Sequence, residues 1–313
     1  MLSTSAIWHQ GAGRYLEFDE KEKPLVLQLG GYNLKEFVYA AKIAEDMGYN
    51  EININAGCPS DRVHRGKFGV CLMADIDHMS SLIEGMTQAL TVPVTVKCRI
   101  GLDGRRFSLP LYDSYEYLCK FIAAVSDAGA RRVIIHARIA VLGLLNPKQN
   151  RDIPPLRYDV VHAVARQFPH VSIEINGGIK NLADSAEQLQ HVDAVMVGRA
   201  ALEAPLQFLD ADTLLETGSI DKDALPHHSA VVLQEEIIRN YIQYLTQHVA
   251  HSDLRASDAA RRAIRHLLCF FSGLSGAKSW RSSLSKSMER KEEPGYAVEQ
   301  ALALLKRNKK SGE

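Results

Sequence analysis

The sequence predicts an α/β fold on a parallel sheet, of the (β/α)8 TIM-barrel kind, followed by a small all-α helical domain. Three observations carry this. Short runs rich in Val and Ile alternate with longer amphipathic stretches, the rhythm of repeated βαβ units. Each run finishes on or beside a polar residue or glycine of chemical use, as at a barrel mouth where strand C-termini converge on one site. From about Leu225 onward only helix-like stretches follow. A doubly wound sheet would spread its strand ends along an edge, and the G-x-G-x-x-G fingerprint of a Rossmann nucleotide site is absent after any early strand.

In order, strands are expected at residues 25–29, 51–55, 94–98, 132–136, 172–175 and 194–197, most with largely apolar interiors suited to cover on both faces. Helices are expected between them at 33–47, 79–90, 113–128, 159–168 and 181–190, several ending near Gly or Pro. Residues 234–248, 257–272, 275–287 and 296–306 have helical periodicity as well. The chain is therefore expected to divide into a barrel domain at 1–222 and a helical domain at 223–313. Residues 306–310 form a frayed basic end, and no repeat of 20–50 residues is present.

With 313 residues, 46% of them hydrophobic, a sizeable core is possible. The longer apolar runs, such as 121–125 and 267–271, fall far below the roughly 18 residues of a membrane span. No charged segment leads into an apolar one at the start, so the expectation is a cytoplasmic chain without a membrane partner. Five cysteines, widely spaced and without a C-x-x-C pair, indicate neither a disulfide framework nor a zinc site. Net charge is zero, yet residues 223–313 carry 14 Lys and Arg against 10 Asp and Glu, a local +4 balanced by −4 before it. That suits a nucleic-acid footprint or a solvated helical surface equally.

Cys58 sits in a glycine-proline loop, Asn55-Ala56-Gly57-Cys58-Pro59, directly after a strand, which puts its thiol at the mouth. A thiol of ordinary pKa is mostly protonated at neutral pH and can act as a proton donor. Lys97, at the next strand end, is costly inside a barrel unless something anionic or electron-rich meets it; a snorkelling surface lysine is the alternative. His136 alone reads more often as a satisfied core histidine than as a ligand contact. The loops Asn176-Gly177-Gly178 and Gly198-Arg199 follow the last two strands, where barrels often bind phosphate through backbone N–H groups.

These stretches, with residues 67–73 (Lys67-Phe68-Gly69-Val70-Cys71-Leu72-Met73), Val96-Lys97-Cys98-Arg99-Ile100-Gly101 and His136-Ala137-Arg138, together resemble the tRNA-dihydrouridine synthase family. Residues 146–156 and Gly276-Ala277-Lys278-Ser279-Trp280-Arg281 look like its A-type branch. The resemblance implies that Gln28, Lys97, His136, Asn176, Gly177, Gly178, Gly198 and Arg199 contact FMN, the last two loops holding its phosphate. It implies hydride transfer from flavin N5 to uracil C6, proton delivery from Cys58 to C5, and NADPH as the reductant. The substrate implied is a D-loop uridine of tRNA, at position 20/20a, with Asn55 on the nucleotide and Lys148, Arg151, Lys278 and Arg281 on the tRNA. Lys278 stands where the family pattern has arginine, which keeps the charge but loses the planar fork. Family members open with a strand carrying Ala-Pro-Met, and here residues 3–13 match the end of the second strand and its loop. A monomeric, N-terminally incomplete barrel lacking its first β/α unit is thus expected, since six strands cannot close a ring of eight. Two other readings stay open: another FMN barrel, such as a dihydroorotate dehydrogenase or old-yellow-enzyme relative, and a tRNA-binding protein without catalysis.

Overall fold

The computed structural model describes residues 1–60, 65–218, 236–245, 247, 264–272 and 275–310. In chain order the strands are β1 (Leu2–Ser3), β2 (Val26–Gly30), β3 (Glu51–Asn55), β4 (Val94–Arg99), β5 (Leu102–Asp103), β6 (Leu111–Tyr112), β7 (Arg132–His136), β8 (Ala140–Val141), β9 (Ser172–Asn176) and β10 (Ala194–Met196). Seven of them form one parallel sheet in the order β1-β2-β3-β4-β7-β9-β10. Spatial order equals chain order, the winding of a barrel; a doubly wound sheet reverses direction part-way. No pairing among the described residues joins β10 to β1, so the sheet is an unclosed barrel wall.

The helices between the strands start at α1 (Thr4–Gln10) and α2 (Gly13–Leu16) and continue as α3 (Leu34–Asp46), α4 (Ile76–Ala89), α5 (Tyr115–Asp127), α6 (Tyr158–Gln167) and α7 (Leu182–Gln188). The starts of α3, α4 and α5 are set by side-chain caps that satisfy otherwise orphaned N–H groups. Asn33 accepts from Lys35 N, Asp75 from His78 N and Ser114 from Tyr117 N. Residues 3–13, read as a strand end and a loop, are instead a two-residue strand followed by α1. That helix forms because its one-turn apolar contact, fully buried Ile7, packs into the core while Thr4 Oγ1 donates to Glu36 at 3.0 Å.

The expectation of largely apolar strand interiors holds for one face only. Ile52, Ile54, Val94, Val96, Val133, Ile135, Ile173 and Ile175 are buried in one core with Phe37, Leu82, Ile83 and Phe121 of the helices. The alternate positions on β2, β3, β4, β7 and β9 are mostly polar and hydrogen-bond to one another. Asn53 Nδ2 donates to Thr95 Oγ1 (2.9 Å), Thr95 Oγ1 to Glu51 (2.5 Å), and Arg132 bridges Glu51 and Glu174 at 3.1 and 3.2 Å. A buried polar layer survives only when so satisfied.

By contacts the chain parts into a first unit, Met1–Ile179 with Glu187–Val197, and a second, Lys180–Ala186 with Gly198–Glu313. The expected boundary at 222/223 lies outside the described residues. The second unit holds α8 (Arg199–Glu203), α9 (Ala211–Thr217), helical residues at 236–245 and 264–267, α10 (Ala277–Arg290) and α11 (Pro294–Lys310). Parts of the expected helices 234–248 and 257–272 also lie outside the described residues. This unit has a core of its own around Ile238, Phe271, Trp280, Leu284 and Val298. Trp280 is fully buried, edge-on to Phe271, and its Nε1 donates to Leu267 O at 2.7 Å.

Candidate active site

The polar strand face runs upward to the C-terminal strand ends, where period-2 alternation brings Gln28, Asn55, Lys97, Arg99, His136 and Asn176 to one opening. With Cys58, Pro147 and Arg151 they line a cavity of about 450 Å³. The amides lock one another: Gln28 Nε2 donates to Asn53 Oδ1 and Asn55 Nδ2 donates to Gln28 Oε1, each at 2.8 Å. Asn55 Oδ1 then accepts from the backbone N–H of Gly57 (3.2 Å) and Cys58 (2.9 Å). That short-range turn folds the chain back so that the half-buried thiol joins the cavity wall. Its Sγ lies 3.7 Å from Ser60 Oγ.

Two further bonds fix the loop to its neighbours. Ala56 N donates to Lys97 O at 2.8 Å, and Arg99 Nε donates to Gly57 O at 2.9 Å. Arg99 Nη1 reaches on to Ile139 O (2.9 Å) and Asn150 O (3.0 Å), so one guanidinium ties the Cys58 loop to the loop after β7. Burial lowers Arg99 to about 10 against a pull upward from Cys58, and the nearby Arg138 and Arg151 lower it further. Lys97 Nζ donates to Asn176 Oδ1 at 2.9 Å, and Asn176 Nδ2 donates to Met196 O at 2.8 Å. Burial first, and then the charge of Arg99, brings the Lys97 ammonium down to about 8. Arg99 had no role in the sequence reading, because the strand was ended at residue 98. The alternation Thr95, Lys97, Arg99 is the signal that finds it.

Of the other thiols, Cys98 is fully buried and burial pushes it up to about 12, while Cys71 and Cys119 are also raised by burial. A fully buried thiol such as Cys98 makes a poor thiolate and a poor participant in chemistry.

Residues 1–308 match the model of the dihydrouridine synthase (Dus) family. The chain belongs to that family of enzymes. Relatives named tRNA-dihydrouridine(20/20a) synthase include one from Synechocystis sp., 43% identical over 92% of this chain and 80% of its own length. Another from Yersinia pestis is 40% identical over 97% and 82%, and one from Shigella flexneri is 42% identical over 97% and 84%.

The remaining sequence-derived residues of this dihydrouridine synthase lie around or apart from the cavity. Gly177 and Gly178, at φ 114° and 77°, follow β9, and Tyr158 OH donates to Gly177 O at 2.6 Å. Neither lines the cavity, although a Cβ on Gly177 would sit 3.2 Å from His136 Nε2. Gly198 and Arg199 belong to the second unit, at the start of α8. Lys148 is exposed at the head of the 3-10 turn Gln149–Arg151, outside the cavity lining that includes Arg151. Lys278 and Arg281 are exposed on α10 in the second unit. There Lys278 lines a groove of about 600 Å³ with Ser282, Ser283, Lys286 and Arg290, and Arg281 does not. Among the described residues no cluster of three or more His, Cys, Asp or Glu could hold a metal, and no helix is long and apolar enough to cross a membrane.

Proposed function

We propose that this chain is an A-type tRNA-dihydrouridine synthase, reducing a D-loop uridine at position 20/20a, with FMN held in the cavity and NADPH as reductant. The observation that carries the reading is the placement of Cys58, its loop held by Asn55 and Arg99, on the wall of a cavity whose other polar lining groups are three amides, an imidazole and the cations Lys97, Arg99 and Arg151. The donor set suits FMN. Gln28 and Asn176 offer amides to the polar rim of a flavin ring, and Lys97 offers a positive charge that burial has made readily responsive to an electron-rich neighbour. A cavity of this size lies in the range of cofactor sites, roughly 300–1,000 Å³.

When bound, FMN supplies the hydride to uracil C6. The chain's own residues supply the rest. The uracil leaves its stack to enter the cavity, at a cost of a few kcal/mol that a loop nucleotide lowers. Cys58 gives its proton to C5, so the pyrimidine double bond gains one hydride and one proton and the thiolate is left to be reprotonated from solvent. Asn55 and Arg99 hold the loop that bears the thiol at that place. Lys148 and Arg151, beside the cavity, and the cationic groove of α10 offer phosphate contacts.

The test is the purified chain and its Cys58→Ser variant. The parent shows the flavin absorption band and forms dihydrouridine in tRNA. The variant keeps the band and loses activity by about 10²–10⁴-fold, the usual worth of a positioned acid. A colourless parent, or a variant as active as the parent, overturns the reading.

A further inference from the structure

Beside the cavity stands a second, three-stranded sheet that the roles above leave unused. β5 and β6 form an antiparallel hairpin, Leu102 against Tyr112 and Asp103 against Leu111. β8, from the loop after β7, joins it in parallel, Leu102 against Ala140 and Asp103 against Val141. The hairpin and the 137–157 loop are therefore one piece, and that loop also carries Pro147 and Arg151 into the cavity wall.

The hairpin tip is the 3-10 turn Arg105–Phe107. Asp103 fixes Arg105 in a fork, accepting from Nε at 3.0 Å and Nη2 at 2.8 Å, and this pairing holds the Asp103 carboxyl below the usual carboxylate range. Arg106 and Phe107 lie over Gly143: a Cβ there would meet Phe107 Cε2 at 2.7 Å and Arg106 Cδ at 3.1 Å, and Gly143 itself has φ 70°. The tip is thus braced against the loop that bears Lys148 and Arg151. Around these cations large apolar side chains are held outward, Phe107 at 37%, Leu111 at 47%, Leu144 at 65% and Ile153 at 59% exposure. These four fall on one hairpin and one loop, side by side with the cations. Cations interleaved with apolar and aromatic surface, continuous with a nucleotide-sized cavity, match a single-stranded RNA loop, whose phosphates take the charges and whose bases take the flat apolar contacts.

We propose that this hairpin platform is a tRNA-contacting surface, Arg105 and Arg106 engaging phosphates of the substrate loop while Phe107 and Leu144 pack on a base or ribose. The proposal rests on tRNA being the substrate. The experiment compares the parent with Arg106→Ala and with Arg105→Ala/Arg106→Ala, using unmodified tRNA across a salt series and in steady-state turnover. The single variant leaves the Asp103–Arg105 fork intact, so it reads the surface even if the double variant folds poorly. Expected are a several-fold rise in tRNA Kd and KM and a salt slope shallower by about 0.7–0.9 per phosphate contact removed. The kcat at saturating tRNA and the rate of NADPH oxidation without tRNA stay within about twofold, since phosphate contacts position the substrate without doing chemistry. A parent that binds tRNA while Arg106→Ala shows its salt slope and KM unchanged overturns the platform alone. A parent that binds no tRNA overturns the platform and the functional reading together.

Discussion

At the scale of single residues, Lys97 is where protonation, stability and the proposed cofactor meet. Its ordinary value is 10.5, and in the folded chain burial and Arg99 bring it to about 8. Below about 8 both folded and unfolded chains hold the proton, and the folded chain carries the cost of a desolvated ammonium. Between about 8 and 10.5 the unfolded chain still holds a proton that the folded chain has released, so stability rises with pH through this window. Relative to a Lys97→Met variant, the parent should therefore gain stability from pH 8 to pH 10.5, read as urea midpoints at several pH values. Flavin retention should move the opposite way, because an electron-rich ring favours the ammonium: FMN should be lost more readily above pH 8 in the parent and show no such step in Lys97→Met. A stability difference that stays flat across the window removes the assignment of Lys97 as a buried, responsive cation.

At the scale of elements, the loop after β9 depends on backbone conformations that only glycine adopts without strain. Gly178 has φ 77°, and a Cβ there would meet Leu156 Cδ1 at 2.5 Å and Tyr158 OH at 2.9 Å. Gly178→Ala should cost about 1–3 kcal/mol, a fall of several degrees in Tm, and it should loosen Asn176, the partner of Lys97, so that FMN dissociates faster. An unchanged Tm and an unchanged dissociation rate would show that the loop yields freely. What sequence could reveal followed the same element logic. The Val and Ile of the strands repeat every second residue and pack on helices, so β2, β3, β4, β7, β9 and β10 were legible within a residue or two. Cys58, Lys97, His136 and Asn176 were legible because strand ends converge. The polar face was not recognised, although Glu51, Asn53 and Asn55 alternate with isoleucines, because Asn and Glu are poor strand formers and the cross-strand partners that satisfy them lie far along the chain, from Gln28 to Arg132. β5, β6 and β8 are two residues each, too short for any period to register. Arg99 was missed by the single residue at which β4 was ended.

At the scale of the whole molecule, the cations assigned to tRNA are divided between two units that have separate hydrophobic cores. Lys148 and Arg151 belong to the first, Lys278 and Arg281 to the second, whose residues 223–313 carry a net +4 in a chain of zero net charge. Overall charge therefore draws no polyanion to the chain, and binding must come from local groups. If both pairs touch phosphates of the same tRNA, each neutralises its own share of the counterion atmosphere, and their effects on the salt slope add. Lys148→Ala/Arg151→Ala and Lys278→Ala/Arg281→Ala should each make the dependence of log Kd on log salt shallower by about 1.4–1.8, at about 0.7–0.9 per contact. The quadruple variant should lose the sum. NADPH oxidation without tRNA should survive in Lys278→Ala/Arg281→Ala, because neither of these side chains lines the cavity proposed for the cofactor. Fluorescence or filter-binding isotherms from low to moderate salt measure the slopes. A Lys278→Ala/Arg281→Ala slope equal to that of the parent would leave the cations of α10 as solvated charges and confine tRNA recognition to the first unit.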